Sequence, residues 1–402
     1  MSSTPRPIYL DYNATTPVDR RVVEAMMPCF GEQFGNASSA VHRFGWEASR
    51  LADRARETIA AGIGAQPEEI IFTSGATEAN NLAIKGAARA LRERGRHLVT
   101  CATEHKAVLD PCHALAAEGF TTTVLKVDAE GVLDPAHVAA ALGDDTVLVS
   151  VMLANNEIGT IQPVAAIAEI CHERGVLLHC DATQAVGKLP VHAASLGADL
   201  LSFTAHKIYG PKGVGALMVR RSRPRVRLLP LCEGGGQEQG LRPGTLNVPG
   251  IVGFAHALEL CLADMEGEAR RLAALRDRLE AGILTQLDGV MRNGSVEHRL
   301  PNTASLAFAG VDGAAMLAGL DEIAVASGAA CASADPKPSH VLLALGRPRE
   351  LAAASLRFSL GRFSSAADVE VAIAAVVRTV TRLREHSPLR HTKRGGRPRR
   401  AP

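Results

Sequence analysis

Between residues 70 and 220 the chain alternates short apolar runs with stretches of helical character, and this rhythm constrains its fold more than any other feature. The apolar runs fall at 70–73, 97–101, 122–127, 146–152, 176–180, 200–204 and 215–219, and helical stretches fill gaps at 77–94, 135–142 and 163–174. Strands separated by helices at this spacing predict an α/β fold, a mostly parallel seven-stranded sheet flanked by helices. Such sheets bind ligands at the carboxyl ends of their strands. The chemically informative residues fall there.

The alternation stops at a long helical stretch, 248–287. Beyond it lie strand candidates at 304–308 and 355–360 and helices at 314–320, 340–345 and 366–386. A chain of 402 residues, 47% of them hydrophobic, exceeds the usual size of one compact unit, so a second, smaller α+β domain is expected. No run of about 18 apolar residues predicts a transmembrane helix, and residues 1–7 lack the apolar core of a signal peptide. The eight cysteines form no CxxC pair and are irregularly spaced, which points to neither a disulfide framework nor a zinc site but to a reducing cytoplasm. Six of the 44 Lys and Arg residues lie in 387–402, a stretch without acids, so the other 38 meet 42 acids and the body is about −4. This Pro/Gly-interrupted tail reads as a disordered, solubilising extension, with direct contact to RNA the less favoured use.

Lys207 stands at the exit of the 200–204 run, in Thr204-Ala205-His206-Lys207-Ile208-Tyr209-Gly210. Burying an ammonium is costly, so a lysine held there is a candidate amine nucleophile, although a surface lysine in a turn fits this segment equally well. Upstream, Thr73-Ser74-Gly75-Ala76-Thr77-Glu78 follows a strand and opens a helix. Small residues at a helix N-terminus cradle phosphate, and they are also an ordinary cap. Asp181 follows the 176–180 run, 26 residues before Lys207. A Schiff-base lysine, an acid to protonate a pyridine nitrogen and a phosphate cup are the three parts a pyridoxal phosphate enzyme needs. Each part alone is ambiguous; the set points to that cofactor. His105, after the 97–101 run, would share the rim, where it could stack on a planar ring and move protons near neutral pH.

These residues resemble the cysteine desulfurases, the class V branch of the fold-type-I pyridoxal phosphate enzymes. The resemblance spans nearly the whole chain and is carried by Tyr9-Leu10-Asp11-Tyr12-Asn13-Ala14-Thr15-Thr16-Pro17, Ser74-Gly75-Ala76-Thr77-Glu78, the run 103–110, Asn155-Asn156-Glu157-Ile158-Gly159 and the run 206–213. It implies that Lys207 binds the cofactor covalently, Asp181 pairs with the pyridine nitrogen, Gln184 bonds the phenolic oxygen and His105 stacks on the ring. It implies that Ala76, Thr77, Thr204 and His206 hold the phosphate, and that Thr245 reaches the phosphate of the neighbouring subunit of a homodimer. Asn156, also implied as a cofactor contact, and Arg357 are the implied grips on the carboxylate of L-cysteine, where a guanidinium fork suits a carboxylate. The implied division is a cofactor-binding large domain, 15–260, and a smaller domain of 1–14 plus 261–386.

Cys331 lies in a Ser/Gly/Ala run, 326–339, that precedes two prolines and lacks the apolar period of a core helix. It reads as a mobile loop. The resemblance makes Cys331 the nucleophile that takes sulfur from the substrate as a persulfide, leaving L-alanine. It also implies a sulfur acceptor protein, either an iron–sulfur scaffold or a carrier for tRNA or cofactor thiolation. No resident metal is implied; Cys331 is at most a transient iron–sulfur ligand shared with a scaffold. Thr204-Ala205 replaces a more usual Ser-Gly, Ala37 a proline, and Gln239 an arginine; the basic tail replaces the usual scaffold-contacting end. A selenocysteine lyase or another class V enzyme is the alternative.

Overall fold

The computed structural model describes residues 6–222, 225–327 and 338–386. A seven-stranded sheet runs in the order Ile70–Thr73, Gly215–Val219, Leu200–Thr204, Leu177–Asp181, Thr146–Ser150, His97–Cys101, Thr121–Leu125. Gly215–Val219 runs against both neighbours, and the remaining pairings are parallel. Strand order reverses between His97–Cys101 and Thr146–Ser150, the kind of switch point beside which such sheets bind ligands. Each of the seven anticipated strands forms, four of them with the bounds anticipated and three shifted by one to two residues.

Both faces of the sheet are buried, which is why its strands read as continuous apolar runs rather than alternating ones. Leu98, Leu148, Leu200 and Leu217 pack on one face with Leu82 and Ile84 of helix Ala76–Ala90. Val99, Val149, Leu201 and Phe203 pack on the other, against Ile59 of helix Arg43–Gly62 and Phe254 and Leu258 of helix Val248–Ala263. Each such side chain contributes roughly 1.5–3 kcal/mol by leaving water.

A second, four-stranded sheet runs Ala326–Ser327, Ser355–Ser359, Thr303–Phe308, Val290–Arg292, antiparallel throughout. Its core joins Leu306, Phe308, Leu356 and Phe358 to Leu279 and Val376 of helices Met265–Leu284 and Ala366–Glu385. The N-terminal segment links the two sheets. Ile8–Tyr9 pairs with Ile323–Ala324, Asp11 bridges to Ser359, and residues 13–16 then cross to the rim of the large sheet.

The single helix anticipated over 248–287 is in fact two, Val248–Ala263 and Met265–Leu284, bent by 73°. The break is at Asp264, whose φ of −139° and ψ of 32° leave the helical range. Among the described residues no single helix is long and apolar enough to cross a membrane.

Thr73, Gly215 and Thr204 lie side by side at one end of the large sheet. A Cβ at Gly215 would lie 2.7 Å from Gly75 Cα and 2.8 Å from Phe203 O, so the strands close here only around a glycine. Gly215→Ala is expected to destabilise the fold by about 1–3 kcal/mol, read as a lower urea midpoint at unchanged slope.

Candidate active site

The carboxyl ends of the parallel strands, with the amino end of Gly215–Val219 among them, border a cleft of about 630 Å³, within the range of small-molecule and cofactor sites. Lys207 lies in a single 3₁₀ turn, Ala205–Lys207, directly after the Leu200–Thr204 strand. Its Nζ donates to the backbone oxygens of Asn13 at 2.5 Å and Ala14 at 2.7 Å. The amine is thus aimed by a segment more than 190 residues away in sequence.

On one side of the cleft, helix Ala76–Ala90 starts at Gly75, whose φ of 156° few other residues adopt and which leaves the first turn without a side-chain cap. The nearest atom to a Cβ placed there would be Thr204 Oγ1 at 3.9 Å. The cup is open, and Ala76, Thr77, Thr204 and His206 line it. Burial, then Lys207, Lys212 and Lys188, push His206 down to about 4, so its ring is neutral at neutral pH.

Asp181 ends the Leu177–Asp181 strand and faces the same cleft. Its Oδ2 accepts from Asn80 Nδ2 at 2.7 Å and its Oδ1 from the Thr183 N–H at 2.9 Å, which fixes the carboxylate plane. His105 also lines the cleft and caps helix Lys106–Ala114, its Nδ1 accepting the Ala107 N–H at 3.0 Å. In the neutral ring the proton therefore sits on Nε2. Gln184 donates from Nε2 to Asn13 O at 2.9 Å and accepts at Oε1 from Lys188 Nζ at 2.7 Å.

Arg357, 1% exposed, comes from the small sheet. It donates to Asn156 O at 2.9 Å and to Asp11 Oδ1 at 2.6 Å, while its buried Nε meets no partner among the described residues. Asn156 borders the cleft beside it. Thr245 does not; it is exposed, away from this cleft. Cys331 and most of its loop lie outside the described residues, as does the tail from 387. Cys29, Cys101, Cys112, Cys171, Cys180 and Cys261 are buried, and burial pushes each thiol above its ordinary range. None of these six is built as a nucleophile.

The class V aminotransferase family model matches residues 8–371. The chain is 53% identical over 383 residues to a cysteine desulfurase IscS of Anaeromyxobacter sp. (strain Fw109-5), covering 95% of each chain. It is 51% identical over 385 residues to that of Pectobacterium atrosepticum, again 95% of each. The chain belongs to the cysteine desulfurase branch of the class V aminotransferases. Among solved structures, a NifS-like protein superposes on this desulfurase with a TM-score of 0.87 at 38% identity, covering 94% of this chain and 100% of that one. DndA from Streptomyces lividans gives 0.74 at 42% identity, covering 86% and 97%.

Enzymes of this family use pyridoxal phosphate, and the desulfurase cleft fits it. Asn80 Oδ1 and Thr183 Oγ1, beside Asp181, are buried and have no partner among the described residues, as a missing polar group would leave them. The uncapped helix start suits a phosphate, and the fixed carboxylate suits a protonated ring nitrogen.

Sequence reasoning missed the residues behind the cleft. Asn13 sits in a quoted motif without a role, yet it touches Lys207, Gln184, Lys188, Asn156, Asn302 and Thr303. Asn80 had a signal: an amide on the buried face of a helix one turn beyond Ala76. Glu157, like Asn13, sits in a quoted motif without a role, and Lys188 had no signal.

Glu157 lines the cleft, accepts from Ser339 Oγ, and burial pushes it up to about 7. An unfolded glutamate ionises near 4.5. Between that pH and about 7 the folded chain holds a proton that the unfolded chain has lost, so stability falls as pH rises. Glu157→Gln is expected to lack this loss, gaining up to about 3 kcal/mol on the parent between pH 4.5 and 8 in urea titrations.

Proposed function

We propose that this desulfurase takes sulfur from L-cysteine, releases L-alanine and carries the sulfur as a persulfide on Cys331. The observation that carries the reading is Lys207 Nζ at a strand end, in one cleft with the fixed carboxylate of Asp181 and the half-bonded guanidinium of Arg357. One relative of known structure, 36% identical with a TM-score of 0.78, is titled SspA in complex with cysteine.

Pyridoxal phosphate at Lys207 supplies an electron sink for bond breaking at the substrate's Cα and Cβ. Asp181 would hold its ring nitrogen, Gln184 its phenolic oxygen, and Ala76, Thr77, Thr204 and His206 its phosphate. Arg357, through its unpartnered Nε, and Asn156 hold the substrate carboxylate. Lys207 would accept the Cα proton at Nζ. His105 would lie against the ring and present Nε2–H. The Cys331 thiolate attacks the substrate sulfur; an S–S bond forms as the Cβ–S bond breaks, and the carbon fragment takes up protons and leaves as L-alanine.

We read the unit 15–260 as the cofactor-binding domain, and 1–14 with 261–386 as the unit supplying Arg357 and the Cys331 loop. The separate cores of the two sheets support that division. A homodimer is supported by exposed Met27, Phe30, Phe34, Phe44 and Trp46, which crowd one stretch of chain. Thr245, exposed and away from its own cleft, is free to serve the partner's phosphate. The acceptor is a protein of iron–sulfur assembly or of tRNA or cofactor thiolation in a reducing cytoplasm, where Cys331 stays a thiol.

Lys207→Ala is expected to abolish the visible absorption of the bound cofactor and to lower sulfide release by at least about 10³-fold. Cys331→Ser should keep that absorption and lose sulfide release from L-cysteine to a similar degree. Sulfide release at the parental rate in Cys331→Ser, with a thiol reductant present, would remove the nucleophile assignment.

A further inference from the structure

Lys188 has no part in the chemistry above, yet its ammonium is held among the groups that aim Lys207. Its Nζ lies 2.7 Å from Gln184 Oε1 and 3.1 Å from Asn13 Oδ1. Asn13 cannot turn to accommodate it otherwise. Its Nδ2 donates to Asn156 O at 3.1 Å and Thr303 Oγ1 at 2.9 Å, and its Oδ1 also accepts from Asn302 Nδ2 at 3.1 Å.

An amide side chain presents a donor on one side and an acceptor on the other, and a 180° turn exchanges them at almost no cost in shape. Lysine removes that choice, because an ammonium only donates. We propose that Lys188 is a positioning residue that locks Gln184 with its oxygen turned from the cofactor, so that Gln184 meets the phenolic oxygen only as a donor. This rests on the assignment of Gln184 and Lys207 given under the proposed function.

With Oε1 committed to Lys188, one Nε2 hydrogen goes to Asn13 O at 2.9 Å and the second is left to the cleft that Gln184 lines. Burial, then the charges of Lys207 and Arg357, push Lys188 down to about 7, against a smaller opposing effect of Cys261. Tyr12, Tyr209, Cys261 and Glu268 are the other titratable side chains of a small cavity of about 20 Å³ that Lys188 and Lys207 line. Loss of a proton from Lys188 leaves two N–H groups, enough for the oxygens of Gln184 and Asn13. The neutral amine can also accept, and there the orientation of Gln184 is kept by its Nε2 donating to Asn13 O, which only accepts.

The test compares four holoenzymes: parent, Lys188→Met, Gln184→Ala and the double variant. The readout is the pH midpoint of the visible absorption of the cofactor on Lys207. A phenolic oxygen that loses its donor holds the neighbouring proton more tightly, so Lys188→Met is expected to raise the midpoint by about 0.5–1 pH unit. In the Gln184→Ala background the same substitution is expected to shift it by less than half as much, since the lock has nothing left to hold.

A midpoint unchanged in Lys188→Met overturns the inference. So does an equal shift in both backgrounds, which is the signature of lost charge acting through space. A parent protein with no absorption attributable to Lys207 fails the underlying assignment instead, and the two failures are thereby told apart. Should Lys188→Met not fold, Lys188→Gln takes its place, and its midpoint is expected between those of parent and Gln184→Ala.

Discussion

A lysine amine tethered to two backbone oxygens of a distant segment is the contact on which this active site depends. Asn13 and Ala14 reach Lys207 because Ile8–Tyr9 is paired with Ile323–Ala324 and Asp11 bridges to Ser359 of the small sheet. The same short segment thus joins both sheets and aims the nucleophile. Arg357, two residues from that bridge on the same strand, is set by the same arrangement through Asp11. The cofactor side and the substrate side of the cleft therefore share one mechanical anchor.

Polarity inside the cleft is graded by partnership. Asp181 has two donors, His206 is kept neutral, and Lys188 is confined between two amide oxygens. Buried polar groups are usually paired, and of the six buried side-chain atoms without a partner among the described residues, three, Asn80 Oδ1, Thr183 Oγ1 and Arg357 Nε, belong to residues that line this cleft. Glu157 is tied to Ser339, two residues beyond the undescribed part of the Cys331 loop, so the downstream anchor of that loop is built into the same cleft.

How far the sequence carried depended on whether a feature is local. Strands buried on both faces leave an unbroken apolar run, so the seven strands and the loops after them, with Lys207, Asp181, His105 and the Ser74–Glu78 cup, were legible. Helix Arg43–Gly62 escaped notice because its buried positions are mostly alanine and its other residues mostly charged. The break at Asp264 carries no proline or glycine to announce it. Asn13 and Lys188 were illegible for another reason: their partners lie up to 346 and 175 residues away, and no periodicity encodes such contacts. The family resemblance named the binding residues but said nothing of what holds them.

The account turns on which amine carries the cofactor, for four lysines, Lys106, Lys188, Lys207 and Lys212, stand at or beside this cleft. Borohydride reduction of the holoenzyme followed by peptide mass spectrometry decides among them. The reduced pyridoxal phosphate group is predicted on the peptide bearing Lys207 and on no other. Its recovery on Lys106, Lys188, Lys212 or a surface lysine would contradict the account.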